Sequence, residues 1–419
     1  MESFLKKDLL ITLRHPGPAD AVLPIIPMLD EIYNVKLVVT DTAINILNER
    51  YNDYIGKYEI YYPGLNFKNG FVKEFCVNHF KTQYEDDEVD EYEEFFYVFE
   101  KFIKQMKPNI VLRTTPAYGW GIDEILPRAI KRNFDKTKIF CYQECYGVGR
   151  ALKSNEHPVA SFGSDNICTV DEGSVKFLKE RDISSQSIGW LSHIKYKDLE
   201  SYSLAKSKVR VHYNILEMER VFLYAVVKTG NILEEVEHFS AFLSTLKKVK
   251  EVHENITAYI KYHPRNTSED VRAYEEAIKK IELNVIRIES DIPYAWILAL
   301  PDVIYSVASN LNIDALAYQF FEASFTDIEI RLKRANCLYS IYSYDDFTKK
   351  ILVKATGEDM LPSHTDYSGH IIVDNTNLED TIMLILNKPD SFSKQTKFAY
   401  NNFRPYSDVV NNIISFLGD

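Results

Sequence analysis

Residues 256–270 read ITAYIKYHPRNTSED. Ile256–Tyr262 is rich in β-branched, aromatic and other apolar residues, broken by one lysine, as expected of a buried strand. His263-Pro264-Arg265 ends the run, because proline lacks an amide hydrogen for the ladder and fixes its own φ. Thr267 stands three residues before Asp270, a capping-box spacing with Asp in place of the usual Glu, and predicts a helix over Glu269–Ile281. Strand, turn and helix follow one another without spare chain, and this unit decides the fold class.

The unit recurs on both sides. Downstream, Asn284–Ile288 and Val303–Ser306 read as strands, and Pro293–Leu300 and Asn310–Tyr318 as helices. Upstream, Val221–Val227 is a strand before a helix or helix pair over Asn231–Val252. The first half does the same with strands at Leu9–Leu13, Val35–Thr40, Tyr58–Tyr62, Ile110–Arg113, Lys138–Tyr142 and Asp165–Val170. Apolar residues at helical spacing predict a long helix over Glu85–Met106. This alternation predicts parallel sheets with helices on both faces. A single core rarely grows beyond about 300 residues, so 419 residues call for two domains. The expected class is α/β, two doubly wound Rossmann-like domains facing each other across a cleft. Their expected spans are 1–200 and 201–400, with the polar stretch Ser187–Lys206 as linker. A helical segment over 401–419 closes the chain and is free to cross back to the first domain.

Composition narrows the function classes. The formal charge of −12 speaks against a general nucleic-acid binder, which carries a basic stripe. The five cysteines are odd in number and scattered, which fits free thiols in a reducing, cytoplasmic setting. Cys141 and Cys145 have a C-x3-C spacing but no second ligand pair, so no metal is expected. The opening stretch MESFLKKDLLITLRHPG lacks the apolar run of a signal peptide, and no segment reaches the ~18 apolar residues of a membrane helix. Any membrane contact would be peripheral.

In parallel sheets, ligands bind beyond the carboxyl ends of the strands. Three turns stand there. In Arg14–Asp20, Gly17 lets the backbone approach a ligand, and His15 or Asp20 is a candidate general base; the alternative is a plain turn and helix cap. In the second turn, Lys261, His263 and Arg265 gather around Pro264 before a helix start, a candidate phosphate site or else a basic surface turn. In the third, Ser306, Ser309 and Asn310 offer hydroxyl and amide donors to phosphate, or simply cap a helix. Gln143 and Glu144 also follow a strand, Glu144 being a spare acid/base candidate, and Thr114, Thr115, Tyr118, Gly119 and Trp120 follow another. No G-x-S-x-G, Walker A or G-x-G-x-x-G fingerprint is present, against an α/β serine hydrolase, a P-loop NTPase and a standard NAD enzyme.

Two Rossmann-like halves, His263-Pro264, and the later Ser306, Ser309 and Asn310 together resemble the GT-B class of glycosyltransferases. Within it the pattern is most similar to bacterial sialyltransferases, polysialyltransferases and teichoic-acid glycerophosphotransferases. The chain departs from the latter in lacking an Asp within Ile304–Ser309, and its first loop keeps only Gly17. The resemblance implies transfer of a sugar from a CMP-, CDP- or UDP-linked donor to a glycan or other hydroxyl acceptor, as in polysaccharide biosynthesis. It implies Lys261, His263, Pro264, Arg265, Ser306, Ser309 and Asn310 around the nucleotide, with Lys261, His263 and Arg265 offsetting leaving-group charge. His263 would also protonate the leaving group, and Asp20 or His15 would act on the acceptor. Inversion without metal or added cofactor is the expected chemistry. The rivals are a nucleotide-sugar 2-epimerase or hydrolase, and a non-catalytic binding protein of the same fold.

Overall fold

A computed structural model describes residues 6–13, 16–40, 43–61, 100, 103–114, 122–143, 152–153, 157–158, 163–170, 172–191, 196, 199–307, 309–320, 338–356, 371–388 and 406–418. Within them, apolar runs form parallel strands and the segments between them return as helices, because a parallel pair needs a crossover connection. The chain divides into two units, one of residues 1–194 with 404–419, the other of residues 195–403.

The first unit contains β1 (Asp8–Leu13), α1 (Pro16–Val22), α2 (Ile26–Ile32), β2 (Asn34–Val39), α3 (Ala43–Arg50) and β3 (Glu59–Tyr61). There follow β4 (Ile110–Thr114), α4 (Ile122–Asn133), β5 (Lys138–Tyr142), and the two-stranded ribbon β6 (Leu152–Lys153) and β7 (His157–Pro158). The unit is completed by β8 (Asn166–Thr169), α5 (Glu172–Lys179) and β9 (Ser185–Ser187). Seven strands lie in the order β3-β2-β1-β4-β5-β8-β9, all parallel. The order reverses between β1 and β4, the switch point of a doubly wound sheet. On one face Leu10, Val38, Val111 and Ile139 pack with Ile103, Met106, Leu126, Ala129 and Ile130. Gly163, before β8, has φ +65°, and a Cβ there would lie 2.5 Å from Pro127 Cβ, so the turn admits glycine alone.

The second unit contains α6 (Tyr202–His212), β10 (Arg220–Ala225), α7 (Ile232–Val252), β11 (Ile256–Lys261), α8 (Ser268–Ile281), β12 (Val285–Arg287), α9 (Tyr294–Ala299) and β13 (Val303–Ser306). It continues with α10 (Asn310–Phe320), β14 (Tyr339–Ser343), α11 (Asp346–Thr356), β15 (Ile371–Val373) and α12 (Leu378–Asn387). Its six strands are ordered β12-β11-β10-β13-β14-β15, again parallel with a reversal beside the first strand. Phe222, Tyr224, Ala258, Ile260, Tyr305 and Ile341 form one core with Phe239, Phe242, Leu243, Leu246 and Tyr274 of the covering helices. The terminal helix α13 (Tyr406–Gly418) belongs to the first unit: Phe416 meets Phe140 edge-on at 4.9 Å, and Asn412 Nδ2 donates to the Ile188 carbonyl at 3.4 Å.

Several elements depart from the sequence expectation. Asn231–Val252 forms one helix of 21 residues rather than a pair. The polar stretch Ser187–Lys206 runs into α6, which Ser201 caps by accepting from Leu204 N. The strands β9, β14 and β15 escape a periodicity reading because each is short or rich in Ser and Tyr. Of the helix expected over Glu85–Met106, Glu100 and Ile103–Met106 are helical, and 85–99 lie outside the described residues. Cys141 and Cys168 are buried free thiols; burial, then the neighbouring Cys141, push the Cys168 pKa up. Among the described residues no helix is long and apolar enough to cross a membrane, and no cluster of metal-type ligands occurs.

One buried titratable group marks the second core. His238 of α7 places Nδ1 2.8 Å from the Tyr224 hydroxyl and Nε2 3.2 Å from the Tyr305 hydroxyl, with Asp345 at 3.5 Å and Phe347 against the ring. Burial pushes its pKa down to about 4, against the opposing pull of Asp345. A histidine neutral when folded and of ordinary basicity when unfolded contributes stability that is whole above about pH 6.5 and is lost as pH falls toward about 4. We expect the wild-type melting temperature to drop across that window, with a flatter profile for His238→Phe in parallel thermal scans.

Candidate functional site

The sequence places three turns at strand ends, and the second unit's ladder decides their spacing. β10 lies between β11 and β13, so the turns after β11 and β13 stand two strand spacings apart, roughly 10 Å. The loop after β10 fills the middle.

That loop is fixed from below. Glu235, fully buried in the first turn of α7, accepts from the Thr229 amide at 2.5 Å, the Thr229 hydroxyl at 2.8 Å and the Gly230 amide at 3.1 Å, and from the Tyr274 hydroxyl at 3.3 Å. Gly230 has φ +89°, a left-handed turn that lets the loop double back onto the carboxylate. Lys228 reaches Asp270 at 2.8 Å. Asp270 is itself half of the capping box: its carboxylate accepts from Thr267 N at 2.7 Å, and Thr267 Oγ1 accepts from Asp270 N at 3.2 Å. The bond from Lys228, then that from Thr267, hold the Asp270 pKa down to about 2.

The turn after β11 is built by its own side chains. His263 N donates to Asn266 Oδ1 at 2.7 Å, and Asn266 N donates back to the His263 carbonyl at 2.9 Å. Arg265 N donates to His263 Nδ1 at 3.1 Å. With Nδ1 accepting, the neutral ring carries its proton on Nε2, which is left to donate outward. Burial lowers the His263 pKa, Arg265 and Lys228 lower it further, and Glu235 opposes them. Lys261, half-buried at the end of β11, has its pKa lowered by burial and by Arg287. Among the described residues no carboxylate lies within ion-pair distance of Lys261 or Arg265. Pro264 is exposed between them.

The turn after β13 is largely occupied with the fold. Ser306 is fully buried, donates to Asn312 Oδ1 at 2.8 Å and accepts from Ser309 N at 3.1 Å. Asn312 Nδ2 ties the same cluster to Ser340 Oγ at 2.9 Å and the Ile341 carbonyl at 3.2 Å. Ser309 Oγ accepts from Leu311 N at 3.2 Å as a helix cap, and Asn310 is exposed at the start of α10. Structure therefore places Ser306 in the interior, Ser309 half-buried at the edge and Asn310 exposed there.

In the first unit, Asp20 lies in α1 with its carboxylate oxygens 2.8 and 2.9 Å from Arg50 Nη1. Thr114 Oγ1 donates to the Thr12 carbonyl at 3.1 Å, and Gln143 is fully buried. His15, Thr115, Tyr118, Gly119, Trp120 and Glu144 lie outside the described residues. Sequence reasoning missed Lys228, Glu235 and Arg287, and read Asp270 as a helix cap alone. The strand-end rule applied to Lys228-Thr229-Gly230 would have found the first. Glu235 reads as an ordinary helix-surface glutamate, and only packing shows it buried.

No known family profile and no curated protein matches the sequence. Solved structures do match over nearly the whole chain. The UDP-GlcNAc 2-epimerase from Neisseria meningitidis, bound to UDP-GlcNAc, superposes with TM-score 0.62 at 11% identity, over 98% of this chain and 100% of that one. A glycosyltransferase from Rickettsia africae gives 0.58 at 12%, over 98% of each chain. MurG from Acinetobacter baumannii gives 0.55 at 8%, over 98% of this chain and 99% of that one. The fold is thus of the GT-B type, with two Rossmann-like units in one chain.

Asp270→Ala removes the capping box and the partner of Lys228 together. It is expected to cost about 2 kcal/mol in urea denaturation, while Arg272→Ala on the exposed side of the same helix stays within about 0.5 kcal/mol.

Proposed function

We propose that the chain is an enzyme using nucleotide-activated sugars, and that the second unit holds the nucleotide phosphates at the turn after β11. One observation carries this: Lys261 and Arg265, cations without a carboxylate partner among the described residues, flank in sequence an imidazole whose Nδ1 accepts from Arg265 N, which leaves the proton on Nε2. A half-buried lysine with no counter-ion is costly unless an anion arrives. The likeness to enzymes whose names include UDP-GlcNAc and glycosyl transfer supports the same ligand class.

In this reading the acceptor oxygen bonds to the anomeric carbon, and the bond from that carbon to the phosphate oxygen breaks. Lys261 and Arg265 offset the charge left on the phosphate, and His263 donates a hydrogen bond from Nε2. Burial and its cationic neighbours keep His263 neutral near pH 7, so it serves as a donor rather than a standing third cation. Ser309 and Asn310, two strands away, supply further donors to the nucleotide. Asp20 and His15 are the proposed acceptor-side bases. The acceptor proton leaves with the base and the configuration inverts. These protein cations take the charge-offsetting role, so turnover is expected to survive EDTA.

The likeness to 2-epimerases supports a second reading, conversion of the nucleotide sugar without an acceptor. NMR of a reaction containing donor alone separates the two: new donor signals mean epimerisation, and an unchanged donor that is consumed only with acceptor means transfer.

Thermal unfolding with CMP, CDP, UDP, GDP and ADP tests the site. A nucleotide at 100 times its dissociation constant adds about 2.7 kcal/mol of stability. We expect one pyrimidine nucleotide to stabilise the wild type, with the shift reduced in Lys261→Ala and lost in His263→Ala. No shift from any nucleotide would sink the proposal.

A further inference from the structure

The carboxyl edge of the second sheet has a hollow that the nucleotide reading does not use. A cavity of about 560 Å³ lies where the loops after β14 and β15 meet the N-terminal half of α7. In the strand order β14 stands three spacings from β11, roughly 14 Å, which sets the cavity apart from the turn at His263. Its volume is that of a small-molecule site.

The walls are aromatic and acidic. Tyr344 and Phe347 supply rings, and Phe347 lies against the His238 imidazole at 5.2 Å. Two of the carboxylates are matched within the chain, Glu234 by Lys350 and Asp346 by Lys349 at 3.8 Å. Asp374 accepts from the Thr376 amide at 2.8 Å, the Thr376 hydroxyl at 2.6 Å and the Asn377 amide at 3.1 Å, in the turn that leads into α12. Glu237, exposed at the rim, has no ion-pair partner among the described residues.

Asp345 sets the requirement. It is 8% exposed, lines the cavity, and accepts from the Thr348 amide through Oδ1 at 2.9 Å at the start of α11. Oδ2 meets only His238 Nε2, at 3.5 Å, long for a hydrogen bond. The ring is already engaged by the Tyr224 and Tyr305 hydroxyls, and burial pushes its pKa down to about 4, so it is neutral near pH 7. A buried carboxylate beside a neutral imidazole has no counter-ion, and such a charge is costly unless a cation arrives.

The walls also select the cation. A hard divalent ion needs several oxygen ligands at once, and among the described residues no cluster of three metal-type side chains occurs. An ammonium group needs one or two carboxylates and is attracted by ring faces as well. The wall itself shows that attraction, with Lys349 Nζ 4.7 Å from the centre of the Tyr344 ring.

We propose that this cavity binds a small organic amine, as its ammonium form, with Asp345 and Glu237 as counter-charges and Tyr344 and Phe347 as apolar walls. The site lies wholly within the second unit and does not depend on the nucleotide reading.

Isothermal titration calorimetry on the full chain tests it, with n-butylamine, putrescine and spermidine as probes and n-butanol as the neutral counterpart. At least one amine is expected to bind the wild type, with affinity falling about tenfold or more in Asp345→Asn, equivalent to about 1.4 kcal/mol, and less steeply in Glu237→Gln. The alcohol is expected not to bind. Asparagine caps a helix as well as aspartate does, so Asp345→Asn without ligand is expected to melt no lower than wild type. Glu237→Gln, an exposed change, carries the comparison should Asp345→Asn fail to fold. No amine heat in the wild type overturns the proposal. So do equal affinities in wild type and variants, which mark diffuse attraction to a chain of formal charge −12. Butanol binding as tightly as butylamine overturns it, because the cavity is then merely apolar. Magnesium chloride displacing the amine better than sodium chloride at matched ionic strength overturns it in favour of a metal site. A ligand-free Asp345→Asn that melts several degrees lower overturns it too, because His238 is then already the cation.

Discussion

Parallel strand pairing is the constraint on which the rest of this structure depends. A parallel strand cannot be reached by a tight turn, so the strands of the two large sheets are joined by crossovers, and every crossover begins at the same edge of its sheet. In each unit the carboxyl ends of the strands, those of β1 and β4 in one and of β10, β11 and β13 in the other, therefore lie at one edge of the sheet, beside the reversal in strand order. Chemistry scattered over 419 residues is concentrated at two edges by topology alone.

At the second unit's edge, the same residues that end the helices shape the site. The capping box of α8 would be complete with Thr267 and Asp270 alone. Asp270 also takes Lys228, and so joins the loop after β10 to the turn after β11. Glu235 does the corresponding work beneath the loop by collecting two amides and a hydroxyl. Buried carboxylates hold the frame, and among the described residues Lys261 and Arg265 are left without one. This division of labour sets the turn apart from a basic turn whose charges are all taken up within the fold. Ser306 falls on the other side of the same line. Its hydroxyl joins β13 to α10 through Asn312, so the strand-end serine that looks most like a phosphate donor is a structural residue, and Ser309, half-buried, and Asn310, exposed, are the ones left at the edge.

The first unit shows the reverse pattern. Asp20, a carboxylate that looks available in the sequence, faces Arg50, so its charge is taken up within the unit.

The sequence by itself determined the strand–helix alternation, the presence of two units and the turn at Lys261–Arg265. Each rests on interactions within a few residues: apolar runs, a proline that stops a strand, and a Thr267-x-x-Asp270 spacing that starts a helix. Its failures have one cause. β9, β14 and β15 are short, and β9 and β14 are rich in Ser or Tyr, so they become strands only because a neighbour supplies the ladder. The burial of Glu235, the tie from Lys228 to Asp270, the internal use of Ser306 and the alignment of Thr12 with Arg113 join residues that sit on different elements. No local pattern encodes such pairs. Tertiary structure alone decided them, because the free energy of a charge or an amide depends on what surrounds it in space rather than on its neighbours along the chain.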